Sequence, residues 1–250
     1  GLTVAPDREP HSLHGYFLRP GDPSRLTVFQ VFRDRDGRSF SARRVVALQH
    51  GEVIFNMSAS FHATRDGYDE QVHDAPAVPG PEECRPFDIP RLYSVESRVA
   101  PRPAETGWPM RLWARCTVAL PDDPLLHACV LTYLSDVVAG LAPLRGAEYH
   151  SGPSLDHSVW FHRPARMDDW VLLDLAPNSA ARGRGWYTGA LYTTGGRLAA
   201  SIAQEVLFSP IRRQASRRRP IVPAPHDGPA GPAALPEGDR PGRGTGWRAG

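Results

Sequence analysis

Asp156 and His157 stand side by side in the run SLDHSVWFHRP, and a carboxylate next to an imidazole is a pairing from which acid–base catalysis is often built. The run reads as a strand, however, and neighbouring strand residues point to opposite faces, so this pair is read as structural. His157 and His162 are five apart on the same strand, the wrong parity for holding one metal from one face. The cysteines, Cys84, Cys116 and Cys129, are three in number and far apart, with no CxxC pair, which argues against a cysteine zinc site or a disulfide scaffold. No metal and no cofactor are expected. All 29 basic residues are arginine, because the sequence has no lysine, and this excludes Schiff-base chemistry and Walker-type phosphate loops. No GxSxG elbow occurs, which removes the usual Ser-His-Asp hydrolases.

The elements that must carry any site can be read from the periodicity. MRLWARCTVAL (110–120) suits a strand. PDDPLLHACVLTYLSDVVAGL (121–141) reads as a helix, with Asp122 or Asp123 as cap, Pro124 in the first turn and apolar residues at helical spacing. Four strand-like runs follow, SLDHSVWFHRP, DWVLLDLA, GRGWYTGALYTT and RLAASIAQEVLF, the last two joined by a Gly195-Gly196 turn that reads as a hairpin. A Pro-rich stretch over 63–109 is read as an interdomain connection. Residues 209–250 hold eight Arg against three acids, with eight Pro and seven Gly. That composition predicts disorder, and it leaves residues 1–208 at about −3 out of the whole chain's +2. Without interleaved aromatics or a folded basic face, no nucleic-acid partner is expected.

The 250 residues allow one large or two small domains, and 41% hydrophobic against 22% charged residues is enough to bury a core. No run of 18 apolar residues occurs, so no membrane span is expected. GLTVAPDREP lacks the marks of a secretory signal. With unpaired cysteines expected, the default location is the reducing cytoplasm.

Residues 11–61 repeat the four-strand ending of the second region at an offset of 144 to 145. Phe17-Leu-Arg19-Pro20 answers Phe161-His-Arg163-Pro164, and SARRVVALQHGEVIFNMSASF answers GALYTTGGRLAASIAQEVLF with Gly51 against Gly196. The first repeat begins where its helix should already have ended. Its first strand and helix are therefore expected to be missing, as in a truncated duplicate.

Taken in order, HSLHGYFLRPGDPS, GRSFSARRVVALQHGEVIFNMSASF, SLDHSVWFHRP and GRLAASIAQE resemble the acyl-CoA thioesterase II family, whose fold is a double hotdog. The resemblance implies an α+β chain in which each half wraps an antiparallel sheet around one long helix, with residues 1–62 as the first half and 110–208 as the second. It also implies a hydrolytic trio that falls here on Asp136, Ser154 and Gln204. Such a trio suits thioester hydrolysis by direct attack of water: the carboxylate takes a proton, the hydroxyl and amide align the water, and a thiol leaves without a strong general acid. Each member also has an ordinary reading, Asp136 as a local cap or pair, Ser154 as a turn serine beside Pro153, and Gln204 as a buried structural amide. The first-repeat counterpart of Gln204 is Ala59, so the trio occurs once. The expected function is hydrolysis of fatty acyl-CoA to free acid and CoA, in a homo-oligomer. The alternative is a non-catalytic hotdog protein that binds acyl-CoA or assembles with a partner.

Overall fold

A computed structural model of the chain describes residues 1–65, 67–89, 92–101, 110–136 and 149–210. The strands are β1 (Arg8–Phe17), β2 (Val28–Asp36), β3 (Phe40–Gln49), β4 (Glu52–Ala63), β5 (Arg85–Pro86), β6 (Val95–Val99), β7 (Met110–Cys116), β8 (Tyr149–Ser154), β9 (Asp156–Phe161), β10 (Val171–Ala181), β11 (Arg184–Thr193) and β12 (Leu198–Pro210). The one α-helix among the described residues, α1 (Pro124–Ser135), lies between β7 and β8. All the strand pairs are antiparallel and join into one sheet in the order β2-β3-β4-β1-β9-β12-β11-β10-β7-β6-β5, with β8 added to the far end of β12.

The repeat read from the sequence recurs in the hydrogen bonds. Leu18 and Arg19 donate their backbone N–H groups to the Ile54 carbonyl, and His162 and Arg163 donate theirs to that of Ala199. Arg19 reaches the Val53 carbonyl at 2.7 Å, as Arg163 reaches that of Leu198 at 3.1 Å. Gly51 and Gly196 both have φ of 76°, a left-handed conformation that a tight hairpin requires and glycine adopts without a Cβ clash. The two repeats meet edge to edge through β1 and β9, whose register sets His14 opposite Ser158, its own counterpart at an offset of 144.

Asp123 accepts the Leu125 N–H at the start of α1 and Pro124 occupies the first turn, as expected from the sequence. The helix closes at Ser135, with Asp136 as its C-cap, so it is shorter than the expected 121–141; residues 137–141 lie outside the described residues. His127, Leu131, Leu134 and Ser135 form its buried face, spaced at i, i+4, i+7 and i+8. That face packs on Leu112, Val159, Leu173, Leu175, Leu191 and Ile202 of the sheet. The opposite face of the sheet is covered at Trp113, Trp170, Leu172 and Tyr192 by Cys84, Ala75 and Val78.

β8 is a strand beyond the four expected after the helix, and two further stretches differ from the expected boundaries. The Pro-rich region 63–109 is more than a connection, since it supplies β5 and β6, and β6 pairs with β7 along five residues. None of its eight prolines falls within β6, and Pro86 sits on β5, the edge strand of the sheet, where proline is tolerated. The last strand runs on to Pro210, two residues into the expected tail, because β8 gives Phe208, Ser209 and Pro210 partners; residues 211–250 lie outside the described residues.

Candidate active site

Three elements converge at the C-terminal end of α1. The helix ends by presenting Asp136, the end of β8 presents Ser154, and the middle of β12 presents Gln204. β8 can lie against β12 there because Gly152 has no side chain: a Cβ would sit 3.0 Å from that of Leu207. The chain then corners at Leu155, whose N–H donates to the Glu205 carbonyl while its carbonyl accepts from Phe17.

The three predicted residues touch one another. Ser154 donates its hydroxyl to Asp136 Oδ1 at 3.1 Å, and Gln204 donates its amide to that same oxygen and to Ser154 Oγ, the latter at 2.6 Å. The other end of the Gln204 amide, Oε1, accepts from the Tyr187 hydroxyl and from His157 Nδ1, the latter at 3.0 Å. The remaining nitrogen of His157 lies 2.7 Å from the hydroxyl of Ser135. Gln204, Tyr187, Ser135 and His157 are all buried. Burial pushes the His157 imidazole below its usual value, opposed by the negative charges of Asp136 and Asp156.

The adjacent Asp156 and His157 do point apart. His157 turns inward to the site, whereas the Asp156 carboxylate accepts the Glu205 N–H at 2.8 Å, closing the gap in the ladder where β12 passes from β9 to β8. His162 bonds to Ser201 rather than joining His157, and among the described residues no cluster of His, Cys, Asp or Glu is arranged to hold a metal ion. The three cysteines are unpaired.

Sequence reasoning set His157 aside and did not single out Ser135 or Tyr187. One signal for Tyr187 was present: counting outward from the Gly195-Gly196 turn places it opposite Gln204, as the β11–β12 register has it. Beside Asp136 and His157 lies a cavity of about 280 Å³, walled by Leu13, Phe17, Phe55 and Met57 of the first repeat and by Thr132 and Tyr133 of α1. It is an apolar space with a carboxylate and an imidazole at its edge.

Comparison with known proteins adds to this geometry. Residues 1–62 match the model of the acyl-CoA thioesterase N-terminal domain, and residues 66–208 that of the acyl-CoA thioesterase C-terminal domain. Human acyl-coenzyme A thioesterase 8 is 34% identical over 236 residues, covering 81% of this chain and 74% of the relative. Acyl-CoA thioesterase 2 of Haemophilus influenzae is 32% identical, covering 83% and 82%. Among solved structures, the acyl-CoA thioesterase II TesB2 of Mycobacterium marinum is 40% identical with a TM-score of 0.75, covering 84% of each chain. A hot dog fold protein of unknown function from Alicyclobacillus acidocaldarius, 20% identical with a TM-score of 0.66 over 80% of this chain and 79% of its own, shares the fold. With both of its repeats matched and its sequence kept at these identities over most of its length, the chain belongs to the acyl-CoA thioesterase II family.

Proposed function

We propose that Asp136, Ser154 and Gln204 hold and activate the water with which this acyl-CoA thioester hydrolase cleaves its substrate. The single observation that carries the proposal is the mutual hydrogen bonding of three polar groups from three separate elements at the edge of an apolar cavity. A carboxylate, a hydroxyl and an amide brought together there are matched to one small polar molecule.

Both N–H groups of Gln204 are committed, one to Asp136 and one to Ser154. A water entering from the cavity takes the place of the Gln204–Asp136 contact, accepting from the amide and donating to the carboxylate. With the acyl chain in the cavity and the thioester carbonyl over this water, the water oxygen attacks the carbonyl carbon as its proton passes to Asp136. The tetrahedral intermediate collapses by breaking the carbon–sulfur bond. The CoA sulfur takes up the proton that Asp136 had accepted, which restores the carboxylate, so CoA leaves as the thiol and the acyl group as the free acid. The chain forms no covalent bond to the substrate.

The two repeats are taken to form a double hotdog joined at β1 and β9, a reading supported by the register that sets His14 opposite Ser158. Fatty acyl groups, with their long apolar chains, suit the cavity wall of Leu13, Phe17, Phe55 and Met57. Homo-oligomer formation belongs to the same proposal, and sedimentation at micromolar concentration tests it. Three unpaired cysteines suit a reducing compartment; among the described residues no helix is long and apolar enough to cross a membrane.

The deciding experiment is thiol release from acyl-CoA by Asp136→Asn. It keeps the shape and loses the base, so turnover should fall by about a hundredfold or more with the melting midpoint near that of the parent. An Asp136→Asn protein with full turnover would sink the mechanism.

A further inference from the structure

We propose that His157 is a positioning residue for the trio: by donating its Nδ1 proton to the carboxamide oxygen of Gln204, it fixes which end of that amide faces Asp136 and Ser154. The inference rests on the reading that Asp136, Ser154 and Gln204 hold the attacking water.

A glutamine amide has two ends of nearly equal size and opposite chemistry. Turned over, Gln204 would set its oxygen against the Asp136 carboxylate and leave no N–H for Ser154 or for water. What prevents this lies at the other end of the amide. Its oxygen only accepts, so both groups that reach it must donate, and these are the Tyr187 hydroxyl and His157 Nδ1. Two buried donors on one oxygen hold the amide in a single orientation and polarise it, which makes its N–H groups stronger donors.

The same contact fixes the tautomer of His157. With Nδ1 protonated, the neutral ring can only accept at Nε2, 2.7 Å from Ser135 Oγ. Ser135 also lies 2.7 Å from the Thr132 carbonyl, but a hydroxyl has one proton. When the ring is neutral that proton goes to His157; when the ring is protonated, Nε2 donates to Ser135 and Ser135 donates to Thr132. The Nδ1 donation to Gln204 is the same in both states. The charges acting on the ring are those of Asp136, at the end of α1, and Asp156, its own neighbour on β9. A closed circuit results: α1 through Ser135 to His157 on β9, to Gln204 on β12, and back to Asp136 at the end of α1.

The test compares His157→Asn, His157→Gln and His157→Leu for thiol release and melting. The Asn amide stands where Nδ1 stands and can donate to Gln204; the Gln amide stands where Nε2 stands and reaches Ser135 instead. His157→Asn should retain most of the turnover, while His157→Gln and His157→Leu lose about tenfold in kcat, the scale of one buried hydrogen bond, with KM little changed. In a Gln204→Ala background, His157→Gln should add no further loss in kcat, since no amide remains to be oriented. Equal kcat for the Asn and Gln variants would overturn the proposal, as would a loss that multiplies in the Gln204→Ala background. If His157→Leu fails to fold, the Asn and Gln pair decides. An active Asp136→Asn protein counts against the trio itself; an inactive Asp136→Asn beside a fully active His157→Gln counts against His157 alone.

Discussion

The two repeats share their hairpins and differ in what lies against them. In the second, β10 runs between β7 and β11, with α1 on one face and the Trp113–Trp170 cluster on the other, and Leu173 and Leu175 are fully buried. In the first, β2 is an edge strand and all nine of its residues are exposed, Phe29 at 65%. The first repeat also buries an arginine: Arg43 donates to Thr3, to the Arg35 and Ala42 carbonyls and to Asp36. In the second repeat α1 buries one face of the sheet and brings Asp136 to Gln204. The first repeat, with Ala59 in place of Gln204, supplies the pairing edge and the cavity wall.

The largest effect expected from this contrast is chemical. Gln204→Ala should lower kcat by about a hundredfold to a thousandfold, the cost of losing a preorganised donor. Its mirror, Ala59→Gln in the first repeat, should leave kcat as it was. A steady-state thiol-release assay on both decides, and equal effects would erase the assignment of chemistry to the second repeat.

Stability should divide in the same way. Leu134 is fully buried on α1, and Leu134→Ala should cost about 2–5 kcal/mol in denaturant unfolding. Val31 on β2 is 47% exposed, and Val31→Ala should cost less than about 1 kcal/mol. Comparable losses would mean that β2 is covered in solution.

A smaller change should come from filling the cavity on its first-repeat side. Met57→Trp should lower the kcat/KM ratio of long to short acyl-CoA substrates by about tenfold. An unaltered ratio would place the acyl chain elsewhere.

The gentlest effect is on pH. Burial holds His11, in the first repeat, and His157 and His162, in the second, below the usual 6.5. The unfolded chain therefore binds more protons below that pH, so this contribution to stability is complete above about 6.5 and declines as pH falls from there. Asp168, held to about 2 chiefly by Arg166, adds a second decline between its ordinary 3.8 and about 2. Urea midpoints measured from pH 8 to 3 should stay level down to about 6.5 and fall below it, less steeply between pH 6.5 and 5 in His157→Asn. A rise on acidification would contradict the burial of these rings.

The elements were largely legible because they rest on local chemistry. The Asp123 cap with Pro124, the Gly51 and Gly196 turns, and the alternation in β9 to β12 are each decided within a few residues. The Pro-rich 63–109 stretch misled because β6 is five residues long and gains its stability from β7, beyond any local window. The helix end was overrun because apolar spacing continues past Asp136, which caps it through the backbone.

By itself, then, the sequence determined α1 and the strands around it apart from β5, β6 and β8, the internal repeat and the exclusion of lysine chemistry, and its motifs pointed to Asp136, Ser154 and Gln204 as the proposed trio. Tertiary structure alone decided that His157 turns inward while Asp156 turns to Glu205, and that Tyr187 and Ser135 complete the circuit. The reason is physical. A side chain's face follows from strand parity, but what it meets there depends on contacts between residues dozens of positions apart, such as the 47 between His157 and Gln204. A hydroxyl, an imidazole and an amide acquire defined donor and acceptor roles only when burial removes water as the alternative partner.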